Sequence, residues 1–130
     1  MVEFPPDFPP VWGDERHLNQ VFNNLVSNGI KYAPDGGKIG IIGVVHPGHV
    51  TVSVRDEGIG IPEHEQNRIF QKFSRLDNAL SRKTEGTGLG LFLTKAIIEA
   101  HNGRIWFANN DDGPGTTFTF SLPRDQHDTA

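Results

Sequence analysis

Between Lys38 and Asp56 two runs rich in β-branched residues flank a Pro-Gly turn and look like a β-hairpin. Lys38 to Val45 is rich in β-branched residues, and Pro47-Gly48 supplies a turn. Val50, Val52 and Val54 then alternate with Thr51, Ser53 and Arg55, the period of a strand that buries one face. The strand runs out at Asp56, directly before a glycine-rich stretch. On either side of the hairpin the period changes to that of a helix. Leu18, Val21, Phe22, Leu25 and Gly29 recur at spacings of three and four. Asp14 is a suitable N-cap for a helix starting near Glu15, and that helix should fail at Ala33-Pro34-Asp35-Gly36-Gly37. A second helix is predicted from about Leu89 to Ala100, with Leu89, Phe92, Leu93, Ala96 and Ile97 facing inward and Asn102-Gly103 closing it.

Around these elements, Val2 to Phe4 reads as a short strand, and Pro5, Pro6, Pro9 and Pro10 force an extended loop. Pro62 to Phe70 reads as a short helix with Pro62 in its first turn. Ser74 to Thr87 is polar and resembles a surface loop. Ile105 to Phe107 and Thr116 to Leu122 read as the last strands, joined by the turn Asp111 to Gly115. Helices mixed with hairpin-like neighbouring strands argue for an α+β two-layer sandwich rather than a doubly wound sheet. At 130 residues the chain suits one domain, here residues 1–123, followed by a disordered tail from Arg124. A net charge of −4 without a basic block disfavours nucleic acid as a partner. The absence of cysteine removes disulfides, thiolate metal sites and Cys nucleophiles, and suits a reducing cytosol. The N-terminus lacks a signal-peptide pattern, and no stretch approaches the length of a membrane helix.

Three segments carry chemistry. On the first helix, at about 100° per residue, Asn24, Asn28 and Lys31 fall within roughly 60° of one another, beside the apolar stripe. A carboxamide oxygen is a hard ligand suited to Mg²⁺, a lysine meets phosphate as a point charge, and Tyr32 offers a surface for a base or ribose. Taken alone, such a face is more often simply solvated. Asp56 is an acceptor-only group when ionised, so at a pocket floor it selects an exocyclic amino group such as adenine N6. Gly58 and Gly60 beside it let backbone and base approach closely, although Asp-Glu-Gly after a strand is also an ordinary turn. Gly86-Thr87-Gly88-Leu89-Gly90-Leu91 opens the second helix, where free amides and the positive dipole end suit phosphate; the plain alternative is a hinge. It is neither a dinucleotide fingerprint nor a P-loop, because no strand directly precedes it and no Gly-Lys-Ser/Thr occurs.

In this order, the segments resemble the ATP-binding catalytic domain of bacterial sensor histidine kinases. Asn24 to Tyr32 is similar to that family's N box, Asp56 to Gly60 to its first glycine box, Phe70-Gln71-Lys72-Phe73-Ser74-Arg75 to its F box, and Gly86 to Leu91 to its second glycine box. The resemblance spans about Val2 to Pro123 and extends to the gyrase, Hsp90 and MutL ATPases, whose Bergerat-type fold is a mixed, mostly antiparallel sheet with helices on one face. It implies ATP and Mg²⁺ as cofactors, with Asn28 the metal ligand, Asn24 supporting it, and Lys31 and Arg75 at the phosphates. It implies further that Tyr32, Asp56, Gly58, Gly60, Ile61 and Phe73 border the nucleotide, that Gly86, Thr87, Gly88, Leu89 and Gly90 wrap the triphosphate, and that 74–87 is a lid.

Two departures stand out. Gly29 occupies a position where the family usually has Ala, which should loosen the helix by about 1 kcal/mol without touching the chemistry. None of the six histidines sits in the family's phosphoacceptor context, so all six are read as structural or surface. The resemblance thus implies a cytoplasmic, monomeric nucleotide cartridge from a longer kinase, whose parent is free to be membrane-anchored. Its partners would be ATP and ADP, a separate dimerisation and phosphoacceptor domain, and a response regulator downstream. Two rivals remain open: an ATPase or serine kinase on the same fold, and a module that only binds. The first rival's relatives carry Glu four residues before the metal-binding Asn, where this chain has Asn24.

Overall fold

The computed structural model describes residues 2–11, 13–31, 38–58, 60–71, 90–111 and 113–124. Its sheet has five strands: β1 (Val2–Glu3), β2 (Gly40–His46), β3 (His49–Arg55), β4 (Arg104–Asn109) and β5 (Thr116–Pro123). Their spatial order is β1-β2-β3-β5-β4, with β1 parallel to β2 and every other pair antiparallel. The valine alternation sets the register: Val50, Val52 and Val54 pair with Leu122, Phe120 and Phe118, so six apolar side chains share one face. The opposite face carries Thr51, Ser53, Thr117, Thr119 and Ser121, and there the Ser53 and Thr119 hydroxyls bond at 2.9 Å. An antiparallel sheet is free to keep one wet face.

Helix α1 (Glu15–Lys31) and helix α2 (Gly90–Ala100) cover the apolar face. Val21 and Leu25 of α1 and Ile98 of α2 are sealed from solvent together with Val50 and Phe120, and Phe22 meets Phe120 edge-to-face at 5.6 Å. This is the sandwich read from the sequence, with β1 making the sheet mixed. The Asp14 cap is present: its Oδ1 accepts the Arg16 N–H at 2.9 Å and the His17 N–H at 3.4 Å.

Two local readings are corrected. The inward face of α2 is Leu91, Thr94, Ile97 and Ile98, whereas Phe92, Leu93 and Ala96 are exposed. Counting apolar letters discounted Thr94, but its hydroxyl donates to the Gly90 carbonyl at 2.8 Å and is thereby made fit for burial. The segment after Pro62 is a 3₁₀ helix, Glu63–Arg68, shorter than the one read from sequence and with Pro62 just outside it.

α2 ends in a Schellman motif. Asn102 takes φ of 64°, and the Asn102 and Gly103 N–H groups return to the Glu99 and Ile98 carbonyls at 3.0 and 2.9 Å. Glycine is required at 103 because a Cβ there would overlap the Ser121 carbonyl of β5. Two residues before Gly103, the His101 ring bridges the two helices. Its Nδ1–H donates to the Ile97 carbonyl at 2.8 Å, and Nε2 accepts the Asp14 N–H at 3.0 Å. Both bonds need the neutral ring with its proton on Nδ1, because a carbonyl only accepts and an N–H only donates. His101→Ala is expected to cost about 2 kcal/mol, about 1 kcal/mol for each bond. The midpoint of urea unfolding should fall at constant m-value.

Candidate functional site

Asp56 stands where β3 ends. Its N–H still follows the ladder, donating to the Thr116 carbonyl at 2.9 Å, and its side chain then folds into the sheet's end. Oδ1 accepts the Gly58 N–H at 2.9 Å and the Thr116 N–H at 3.2 Å. No other described residue donates to this carboxylate. Burial pushes its pKa above the ordinary carboxylate value, and the amides of Gly58 and Thr116 and the charge of Arg55 pull it back only in part. The group is only 7% exposed, so it is an oriented acceptor held on one oxygen by backbone amides.

The wall opposite Asp56 is α1. A Cβ built on Gly29 would lie 3.3 Å from Asp56 Cβ, 3.9 Å from Oδ2 and 2.7 Å from Ile39 Cδ1. The helix therefore presents bare backbone to the carboxylate. Gly29 shapes this corner of the site, an effect beyond the loosening of its helix expected from sequence. Asn28, one residue earlier, is half-buried, and its side-chain carboxamide has no hydrogen bond to another described residue. Lys31 is the last residue of α1, and its side chain is not among those described.

One turn before Asn28, Asn24 reaches α2. Its Nδ2 donates to Thr94 Oγ1 at 3.2 Å and, at a longer 3.4 Å, to the Gly90 carbonyl. A carbonyl can only accept, so the carboxamide must turn its nitrogen to α2. Gly90 is exposed at the first turn of α2, and a Cβ built there would meet no described residue within 4 Å. Thus α1 touches Asp56 through Gly29 and the start of α2 through Asn24. Tyr32, Phe73, Arg75, Gly86, Thr87, Gly88 and Leu89, with the lid 74–87 and the tail beyond 124, lie outside the described residues.

The loop after Asp56 completes the site. Gly58 and Ile61 are buried, and Gly60 takes φ of +76°, a conformation that glycine adopts without steric cost. Phe70, which opens the Phe70–Arg75 segment, packs against Phe107 and Phe118 at 6.0 and 6.2 Å. Lys95 Nζ lies 5.6 Å from the ring centroid. Three residues absent from the sequence reading as site residues also touch the Asp56 loop. Asn109 and Asn110 bond to its backbone, and Gly115 packs so closely that a Cβ would overlap the Asp56 carbonyl. Gly115 closes the turn read at Asp111 to Gly115, and Asn109 and Asn110 precede that turn with no sequence signal of their own.

Among the described residues no three His, Asp or Glu side chains come together as a metal site. No described helix is long and apolar enough to cross a membrane.

Residues 13–126 match the family described as histidine kinase-, DNA gyrase B-, and HSP90-like ATPase. The sensor histidine kinase WalK of Bacillus subtilis is 44% identical over 112 residues, covering 85% of this chain and 18% of that protein. The sensor-like histidine kinase SenX3 of Mycolicibacterium smegmatis is 44% identical over 115 residues, covering 87% of this chain and 29% of that one. The chain therefore spans less than a third of these relatives. Among solved structures, the catalytic domain of histidine kinase ThkA superposes with a TM-score of 0.81 at 34% identity, covering 95% of this chain and 78% of that one. Full-length ShkA in complex with AMPPNP superposes with a TM-score of 0.74 at 28% identity, covering 90% of this chain and 23% of that one.

Proposed function

The chain belongs to the histidine kinase-, DNA gyrase B-, and HSP90-like ATPase family, and on that premise we propose that residues 1–123 are the ATP-binding catalytic domain of a sensor histidine kinase. In this reading it presents the γ-phosphate of ATP to a histidine on a separate dimerisation domain, and a response regulator acts downstream. The supporting observation is that one helix, α1, adjoins Asp56 through Gly29 and the start of α2 through Asn24. A nucleotide lying along α1 would meet an acceptor at its base and helix N-terminal amides at its phosphates. The AMPPNP complex of ShkA supports a nucleotide as the ligand.

Each residue then has a task. Asp56 accepts the adenine N6 amino group through the carboxylate edge not taken by Gly58 and Thr116. Gly58, Gly60 and Ile61 form the rim over which the base enters, and Tyr32 and Phe73 border the nucleotide. The amides of Gly86, Thr87, Gly88, Leu89 and Gly90 hold the phosphates at the positive end of α2. Lys31, and Arg75 from the lid, supply positive charge. Asn28 fits Mg²⁺, since its half-buried carboxamide has no other bond to a described residue and a neutral oxygen suits a hard cation. The ion would come with the triphosphate, because no acidic cluster among the described residues holds it independently. When bound, Mg²⁺ neutralises phosphate charge.

Phosphoryl transfer of this kind asks the protein for alignment and charge neutralisation more than for covalent chemistry. Asn24 has no basicity, and its amide is bonded to α2, so it is not suited to activating water. That favours transfer to an imidazole over hydrolysis. The parent's dimerisation domain, mixed in trans with this chain and ATP, should become phosphorylated on histidine.

Calorimetry with ATP and GTP, with and without Mg²⁺, tests the binding half directly. ATP should bind more tightly than GTP, and Mg²⁺ should strengthen ATP binding. Asn28→Ala should remove most of the Mg²⁺ increment, about tenfold in Kd, with Tm nearly unchanged. No ATP binding by the native chain would end the reading, and a large loss of Tm in Asn28→Ala would make that residue structural.

A further inference from the structure

We propose that Asn109 and Asn110, at the end of β4, are positioning residues that set the base selectivity of the site by clamping both ends of the 56–61 loop. This rests on the adenine-pocket reading above and extends it to residues that would not touch the nucleotide. The Asn109 carboxamide pairs with the backbone of Ile61 in two bonds. Oδ1 accepts the Ile61 N–H at 2.9 Å, and Nδ2 donates to the Ile61 carbonyl at 2.9 Å. Among neutral side chains, a planar carboxamide offers this adjacent acceptor and donor. Thr116 Oγ1 donates to the same Oδ1 at 3.2 Å, which fixes the amide's orientation independently.

Asn110 holds the other end. Its Nδ2 donates to the Asp56 carbonyl and to the Pro114 carbonyl, both at 2.9 Å, and its Oδ1 accepts from Thr117 Oγ1 at 2.7 Å. Its own N–H donates to the Gly115 carbonyl at 2.9 Å, closing the β4–β5 turn around the contact. Successive side chains at a strand end diverge, so two adjacent residues reach two separated points of one loop. The span between the Asp56 carboxylate and Ile61 is therefore fixed by the sheet and not by the loop's own preferences. That span decides whether an amino group meets Asp56 at hydrogen-bond distance. Loops left unsupported miss such geometry by enough to lose selectivity.

The test is the ratio of ATP to GTP affinity, measured by calorimetry for the native chain, Asn109→Ala, Asn110→Ala, Asn109→Asp and Asn110→Asp. The Asp variants keep size and the acceptor oxygen and lose the donor, so they decide the matter where an Ala variant fails to fold. Each folded variant should lose about fivefold in ATP affinity, in line with the net worth of such bonds. GTP affinity should change less, so the ratio narrows, and the Mg²⁺ increment should stay the same. Two clamps that only stabilise the fold would lower Tm and leave the ratio as in the native chain; that result overturns the inference and leaves the functional reading standing. A native chain that binds no ATP overturns both.

Discussion

Asp56→Asn is expected to weaken ATP binding by about 10- to 100-fold without loss of fold. The range follows from a hydrogen bond to a charged acceptor being worth about 1.5–3 kcal/mol net. The amide oxygen can still accept the Gly58 and Thr116 N–H groups that now hold Oδ1. Its NH₂ then occupies the other edge and faces the adenine amino group donor to donor. Stability should move the opposite way, because burial disfavours the charged form and so raises the pKa of Asp56 in the folded chain. A raised folded-state pKa means that the native state binds this proton more tightly than the unfolded state. The contribution is therefore present below the ordinary carboxylate pKa and is lost as pH rises through the raised value. The carboxamide of the variant does not titrate, so the Tm of Asp56→Asn relative to the native chain should climb as pH rises through that window. ATP affinity of the native chain should decline as pH falls through the same window, at a higher pH than an ordinary carboxylate would show. A variant with native ATP affinity, or a Tm difference flat with pH, removes Asp56 from the pocket floor.

The same carboxylate shows how far the sequence alone could be read. Elements whose burial follows from their own periodicity were visible: α1 from its stripe and Asp14 cap, and β3 from Val50, Val52 and Val54. Asp56 was legible as a strand end running into a glycine turn, and β3 does end at Arg55, directly before it. What stayed hidden depended on partners far along the chain. Thr94 reads as polar until its hydroxyl is seen to accept from Asn24 Nδ2 on α1, and missing that rotated the predicted inner face of α2 onto Phe92 and Leu93. Gly29 reads as a weak helix residue until Asp56, on a distant strand end, is found against its backbone. Asn109 and Asn110, between the strand read at Ile105 to Phe107 and the turn read at Asp111 to Gly115, drew no reading, because nothing in a local window shows that Ile61 and Asp56 are their acceptors. Sequence periodicity reports the side of an element that is dry. It does not report which polar group on another element makes a buried or bent residue tolerable.

Gly115→Ala should cause the largest loss of stability, about 3 kcal/mol or more. The residue has φ of +105°, where an L-residue carries strain of about 1–3 kcal/mol. A Cβ there would also overlap the Asp56 carbonyl and lie 2.8 Å from both Asp56 C and Glu57 Cα. These are backbone atoms, so no side-chain rotation relieves the clash, and either β5 or the Asp56 loop must shift. β5 is held along its length by β3 and β4, whereas the loop is held at its ends. The loop should therefore move, carrying the Asp56 carbonyl off the Asn110 amide. Tm is expected to drop by about 10 °C, and ATP affinity should fall in the protein that remains folded. Gly48→Ala separates this from backbone strain alone. Gly48 also has positive φ, at +79°, but a Cβ there meets nothing within 4 Å. It should lose stability by the strain only and keep native ATP affinity. Equal losses of ATP affinity in the two variants would show that the contact between Gly115 and the Asp56 backbone plays no part in holding the pocket.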